Sequence, residues 1–562
     1  MASKPQVFIC RMSPTFSGHR WFEAGMREYF KEIQIKIEEI SKKSSVGLID
    51  LHKPLYLFPE FFPDNLHPTK EGAAIIAKKT YSAITGDFGG LQLPALYGEK
   101  MVLQRNKPIT ISGIANANDE INVVFNKVSQ TTKVLANGKW KITFPSMEAG
   151  GPYKLSIRSA YSENITINKV YIGEVWLASG QSNMDFKVKS MENAQSVLQD
   201  SLSSNIFLFS MDGNVGSNRE FSKDELLNCN ALNYFKYSGW DNNKTEVLEN
   251  FSAVAYAFAY NLLKELKIPI GIICNAVGGS TTQSWISRES MEKSHETIDL
   301  LNNTHSNPMI HPWVLGRMAK NLKNQKKLGI KVRHQFEPTM LYDAGIHPLK
   351  NYNIKGVIWY QGESNAERVD FHSMLFKLLV DDWRMHWDNP ELPFYSVQLS
   401  SINRPTWGHF RDAQRKLLLI PNTGMAVSSD VGHPTNVHPK KKWIVGARLS
   451  YIALSKTYNK NIPYSGPLFD YVNITDGKME VHFQFGEGLT TTNNEIVKDI
   501  LIAGADRNFV KAQSKIENNI LQVWSAEIKS PRYLKYGYSP FTTGNLVNKY
   551  GLPTSTFSNL NE

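Results

Sequence analysis

Cysteine is scarce: Cys10, Cys229 and Cys274 are the only three in 562 residues. They are too scattered for a disulfide framework, and no two have the spacing of paired metal ligands. Long apolar runs are missing too, since nothing approaches the roughly 18 consecutive apolar residues of a membrane-spanning helix. No basic tract alternates with stacking aromatics, which argues against a single-strand nucleic-acid binder. The opening residues, Met1-Ala2-Ser3-Lys4-Pro5-Gln6-Val7-Phe8, lack the basic, apolar, small-residue succession of a signal peptide. Internal repeats and low-complexity segments are absent as well. What remains is ordinary globular composition, 41% hydrophobic and 20% charged with 37 Gly and 26 Pro, in a chain long enough for several domains. Lys and Arg outnumber Asp and Glu by 63 to 52, a net charge of +11 that is mostly solvated surface and is compatible with anionic glycans.

The organisation changes along the chain. Residues 1–90 read as alternating α/β: a strand at Val7 to Cys10, a polar helix from His19 to Lys43, a strand at Gly47 to Leu51 and a helix after Thr69. Residues 91–169 show short Val-, Ile- and Thr-rich runs between Asn, Gly and Pro clusters, the pattern of a small β-sandwich. Residues 170–460 return to α/β, with strands expected at Val170 to Ala178, Ile268 to Cys274, Gly356 to Tyr360, Phe394 to Leu399 and Met425 to Ser429. Five apolar strands with helical crossovers imply a doubly wound parallel sheet covered on both faces. Residues 461–562 read as a further β domain.

In such a sheet chemistry sits beyond the carboxyl ends of the strands. There the chain places Gly180-Gln181-Ser182-Asn183, then Gly278-Gly279-Ser280, then Gln361-Gly362-Glu363-Ser364-Asn365, then Asp430-Val431-Gly432, with His438-Pro439 opening a helix. A serine, a histidine and close-approaching glycine amides are the parts of acyl transfer. Taken singly, each has a plainer reading: the serine as a cap, the glycines as hinges, and Gln361, Glu363 and Asn365 as a satisfied buried polar network. Their joint arrival at one sheet edge favours a site. The turn lacks the second glycine of the G-x-S-x-G elbow, which disfavours an α/β-hydrolase.

The run Gly173 to Met184, ending Ala178-Ser179-Gly180-Gln181-Ser182-Asn183-Met184, resembles the nucleophile block of the sialate O-acetylesterase family, a branch of the SGNH hydrolases. Gly278-Gly279-Ser280 with Trp285-Ile286-Ser287, Leu341 to Leu349, Val357 to Asn365, and Asp430-Val431-Gly432 with His438-Pro439 follow in that family's order. The resemblance implies a flavodoxin-like SGNH fold flanked by small β-sandwich domains. It implies removal of O-acetyl groups from sialic acids, with Ser182 as nucleophile and His438 as base. The Ser182 and Gly279 amides, with the Gln361 side chain or a neighbour, would hold the oxyanion, and Asn183, Glu363, Asn365 and His347 would line the sugar site. No metal or organic cofactor is implied, and the expected location is extracytoplasmic, periplasmic or secreted, with any signal lying outside this chain. Deacetylation of other glycans such as xylan, or glycan binding without efficient chemistry, are the alternatives.

Two departures stand out. Where the superfamily carries Asp three residues before the histidine, this chain has Thr435, so Asp430 becomes the candidate third member, with a capping role or a backbone carbonyl on His438 as alternatives. Asp343 and Gly345 replace the more usual Asn and Met, which bears on pocket shape. In addition, Asp64-Asn65-Leu66-His67-Pro68 resembles the closing Asp-x-x-His block of a second SGNH domain, expected to be the tail of a tandem esterase whose earlier blocks are not in the chain. Asp64 and His67 are accordingly expected to be a vestigial, idle pair.

Overall fold

The computed structural model describes residues 6–44, 46–200, 205–213, 215, 218–242, 245–325, 329 and 331–560. Two compact units emerge, one spanning residues 1–175, 209–241 and 283–353, the other 176–208, 242–282 and 354–562.

In the first unit β1 (Phe8–Arg11) and β2 (Gly47–Asp50) pair in parallel across the helix Met26–Ser44. That helix starts later than the polar run from His19 suggested, because Gly25 stands at φ +82° just before it. The Thr69 hydroxyl accepts from Gly72 N to cap the helix Lys70–Thr85, and Gly86 ends it in the left-handed region. Two strands cannot cover their own faces, and this segment finds cover on residues 283–353. Arg27 Nε donates to Glu292 Oε2 at 2.6 Å with both side chains buried, and Arg333 reaches the Leu57 carbonyl at 3.1 Å. Further along, β3 (Val102–Gln104), β4 (Ile109–Ile114), β5 (Glu120–Phe125), β6 (Val128–Lys133), β7 (Lys139–Phe144) and β8 (Gly150–Ser159) include the expected β runs. β4 pairs antiparallel with β7, and β5 pairs antiparallel with β6 and β8, turning Ile121, Val123, Phe125, Leu155 and Ile157 inward.

β9 (Ile165–Gly180) makes the central sheet mixed: its first part pairs antiparallel with β8 and parallel with β3. The later strands are β10 (Ile206–Gly213), β11 (Phe235–Asp241), β12 (Ile270–Ala276), β13 (Gly356–Tyr360), β14 (Phe394–Val397) and β15 (Thr423–Ala426). In the second unit the order is β10, β12, β9, β13, β14, β15, with parallel pairing from β9 through β15. The five expected strands are β9, β12, β13, β14 and β15. β10 adds another that was not foreseen, because Ile206 to Met211 is a short apolar run without a period to mark it. The last ten residues of β9 apart from Tyr171 are buried, as is all of β13, as a sheet covered on both faces requires.

The alanine-rich helix Ala253–Leu266 lies against the helix Lys442–Ile452, and at Gly446 a Cβ would stand 2.4 Å from the Val254 carbonyl, so only glycine permits that approach. At the end of the chain β16 (Leu468–Thr475) and β17 (Lys478–Gln484) form an antiparallel sheet with the strands Ile520–Trp524 and Gln513–Glu517. The buried Arg411 fixes the helix Trp407–Lys416 to this region by donating to the carbonyls of Gly537, Ser539 and Pro540 and to Thr556 Oγ1. Among the described residues, no helix is long and apolar enough to cross a membrane.

Candidate active site

The edge where β9 and β13 end is built around a glycine that admits no side chain. Gly180 has φ +134°, and a Cβ there would stand 2.2 Å from the Tyr360 carbonyl. Gln181 then donates its N–H to that carbonyl at 2.9 Å, while its side-chain Oε1 accepts from the amides of Gly362 and Ser364 at 3.3 and 3.4 Å. The two strand ends are thereby stapled together. Ser182 follows as the first residue of the short helix Ser182–Asp185, so its N–H has no acceptor within the helix. A Cβ at Gly278 would stand 3.6 Å from Ser182 Cβ, an ordinary contact distance, and Gly279 is in the left-handed region at φ +76°. Among the described residues neither the Ser182 nor the Gly279 N–H is donated within the chain.

His438 Nε2 lies 2.8 Å from Ser182 Oγ. The loop that delivers it is held by its own side chains: His433 Nδ1 accepts from the amides of Thr435 and Asn436, and Asn436 Oδ1 accepts from His438 N at 2.9 Å. Partial burial, with help from the positive charges of Lys442 and Arg404, holds the His438 pKa below the ordinary imidazole value. The imidazole is thus biased to its neutral, proton-accepting form. Beside it opens a hollow of about 570 Å³ lined by Met191, Glu192, Asp430, His433, Asn436, His438, Lys440 and Lys441, among others.

Behind the serine lies a buried polar network. Asn183 Nδ2 donates to the Val437 carbonyl at 3.0 Å and to Glu363 Oε1, and Asn183 Oδ1 accepts from Lys442 Nζ. Lys442 is fully buried, with its ammonium 5.0 Å from the ring centre of Phe186 and 5.4 Å from that of Tyr360. Burial pushes its pKa down to about 7 and raises that of Glu363. Gln361, buried, gives its two N–H bonds to the Ser280 carbonyl and to Asn365 Oδ1, while its own Oε1 accepts from Thr282. Thr282 also meets His372 Nδ1 at 3.1 Å.

Several sequence expectations therefore change. Gln361 has no N–H left for an oxyanion, because both are spent inside the network. Asn183, Glu363 and Asn365 are buried at 7% exposure or less and hydrogen-bond to other protein groups, as in the plainer reading of a satisfied network rather than a sugar-lining surface. Asp430 is not paired with His438: its two carboxylate oxygens are each 2.7 Å from Arg448. His347 lies in the first unit, edge-on to Tyr342 at 6.5 Å, and Asp343 in the same unit pairs with Arg333 at 2.8 Å. Asp64 and His67 do pair, at 2.7 Å between Oδ2 and Nδ1, on an exposed surface of the first unit. Among the described residues no three His, Cys, Asp or Glu side chains gather into a metal-holding group. The sequence reading passed over Lys442, although a cation in the first turn opposes the helix dipole and was a signal that something there needs it.

Comparison with known proteins accords with this geometry. A family described as carbohydrate esterase, sialic acid-specific acetylesterase matches residues 172–451. Sialate O-acetylesterase of Mus musculus is 28% identical over 370 residues, which are 58% of this chain and 65%, just under two thirds, of that protein. The Rattus norvegicus protein of the same name is 27% identical over 429 residues, 67% of this chain and 76% of that one. Among solved structures, a carbohydrate acetylesterase from Xanthomonas citri superposes with a TM-score of 0.70 at 28% identity, covering 84% of this chain and 100% of that one. With the strand-end blocks in the family's order and a serine and histidine in contact at the same sheet edge, residues 172–451 belong to the family of sialic acid-specific carbohydrate acetylesterases.

Proposed function

We propose that the chain is a serine esterase that removes O-acetyl groups from sialic acids through an acetyl-serine intermediate, on an SGNH-type sheet. The observation that carries the reading is the 2.8 Å contact between Ser182 Oγ and His438 Nε2 at the carboxyl end of β9. Ser182 Oγ attacks the acetyl carbonyl carbon as His438 takes its proton. The negative oxygen so formed is held by the Ser182 and Gly279 amides, each such donor contributing about 3 kcal/mol or more of transition-state stabilisation. Collapse breaks the bond to the sugar oxygen, which takes the proton from His438 and leaves as a hydroxyl. Water then adds to the acetyl-serine with His438 again as base, and acetate leaves. The pair works as a Ser-His dyad: His438 is positioned through Val437, His438 N and the network behind them, with Asp430 committed to Arg448. A sialoglycan substrate calls for an extracytoplasmic location.

The direct test is acetate release from O-acetylated sialic acid and from an acetylated neutral sugar. Turnover of the sialic acid is expected; turnover of the neutral sugar alone would replace this reading with a general glycan acetylesterase.

The base also fixes a pH dependence. Protonated His438 cannot accept the serine proton, so kcat/KM falls as pH falls through its pKa. Since burial and the nearby cations lower that pKa, the acid limb should have its midpoint below the value of about 6.5 for free imidazole, with full activity at neutral pH. A midpoint above it in the pH–rate profile would remove His438 from the role of base.

A further inference from the structure

Sialic acids differ from neutral acetylated sugars by a carboxylate, and an enzyme that reads this difference needs an accessible cation beside its nucleophile. Lys442 is excluded, being fully buried and hydrogen-bonded to Asn183. Lys440 and Lys441 are exposed on long flexible stems at the rim of the hollow next to His438. Arg404 differs from both. Its side chain is exposed, and among the described residues its guanidinium has no hydrogen bond or ion pair. Yet it is not loose, because its guanidinium carbon sits 5.1 Å from the ring centre of Trp407, a buried side chain anchored by its Nε1 on the Ser400 carbonyl at 2.9 Å. Stacking of this kind holds the planar cation in one orientation at low entropic cost.

The backbone joins Arg404 to the catalytic loop. Arg404 N donates to the Ile402 carbonyl and Trp407 N to the Arg404 carbonyl, which closes the turn. From the same turn Asn403 N donates to the Pro434 carbonyl at 3.0 Å, and His433 N donates to the Ser401 carbonyl at 3.1 Å, while Gly432 packs too tightly on Ser401 to carry a side chain. The residues 401–404 are thus tied directly to the loop that delivers His438. The positive charge of Arg404 disfavours protonation of both His438 and Glu363. An exposed, oriented and unpaired guanidinium in that place has no structural task in view. It is suited to a planar carboxylate, which it can meet with two parallel N–H bonds.

We propose that Arg404 binds the carboxylate of the acetylated sugar and gives this esterase its preference for sialic acids over neutral acetylated sugars. The inference rests on the deacetylation reading above. Its test compares wild type, Arg404→Gln and Arg404→Lys on O-acetylated sialic acid and on the same sugar with its carboxyl group converted to a methyl ester. Loss of a charge-assisted bidentate contact is expected to raise KM for the acid about tenfold or more in Arg404→Gln, with kcat nearly unchanged and the methyl ester unaffected. Arg404→Lys, which keeps the charge but not the fork, should fall between. In the wild type, added salt should raise KM for the acid and not for the ester. An unchanged KM for the acid in Arg404→Gln overturns the proposal, and so does an equal rise for acid and ester, which would mean that Arg404 merely supports the loop. Should the wild type turn over an acetylated neutral sugar and not the acid, the deacetylation reading itself fails and takes this proposal with it.

Discussion

Ser182→Ala lowers kcat for acetate release by about 10⁴-fold or more while leaving thermal stability close to that of the wild type. Removing a serine nucleophile abolishes the covalent route, and what survives is the residual catalysis of oxyanion donors and binding. The fold should tolerate the change, because among the described residues the Ser182 hydroxyl bonds to His438 and supports no other element. KM should move little, since the acetyl-serine forms after binding. Measured kcat, KM and Tm decide it together. A variant that keeps kcat within tenfold of wild type would place the nucleophile elsewhere; a variant that loses activity only in step with Tm would make the serine structural.

Asn183→Ala should be the most damaging change that touches no reacting atom. One amide here serves three buried groups: it accepts from Lys442 and donates to Glu363 and to the Val437 carbonyl. Its removal leaves a buried lysine, a buried carboxyl and a backbone carbonyl short of a partner. Such losses cost roughly 3 kcal/mol or more of stability. The same change frees the residue before His438, and displacement of a catalytic group by about 1 Å can cost on the order of 10²-fold in rate. The expected signature is a fall in kcat with KM retained, because Asn183, Glu363 and Lys442 are buried. Asn183→Asp should keep the bond to Lys442 but lose both donors, and so recover little of the rate. Wild-type kcat in a folded but less stable Asn183→Ala would reduce the network to a stability device.

The two predictions concern residues that differ in how well the chain itself announced them. Ser182 and His438 were legible because the marks are local: an apolar strand, a glycine that must adopt φ +134°, a serine at the turn, and a histidine ahead of a proline. The parallel pairing of β9, β13, β14 and β15, though not their order, was legible for the same reason, since strands buried on both faces are apolar without alternation. β10 escaped because a short apolar run carries no period of its own. The polar partnerships were not legible at all. Asp430 lies at a fair sequence distance from His438, but Arg448, on the helix Lys442–Ile452, takes both of its oxygens. Gln361 stands at a strand end like an oxyanion donor, but Ser280 and Asn365 use up its amide. Lys442, Arg404 and the cover that residues 283–353 give to β1 and β2 likewise depend on elements far apart in the chain. The amino-acid sequence by itself determined most of the strands and the turn that sets Ser182 at the sheet edge, because backbone sterics and burial periodicity act over a few residues. Only the tertiary structure decided which buried polar groups face one another, because a hydrogen bond in a low-dielectric interior goes to whichever partner packing brings within about 3 Å, whatever its place in the chain.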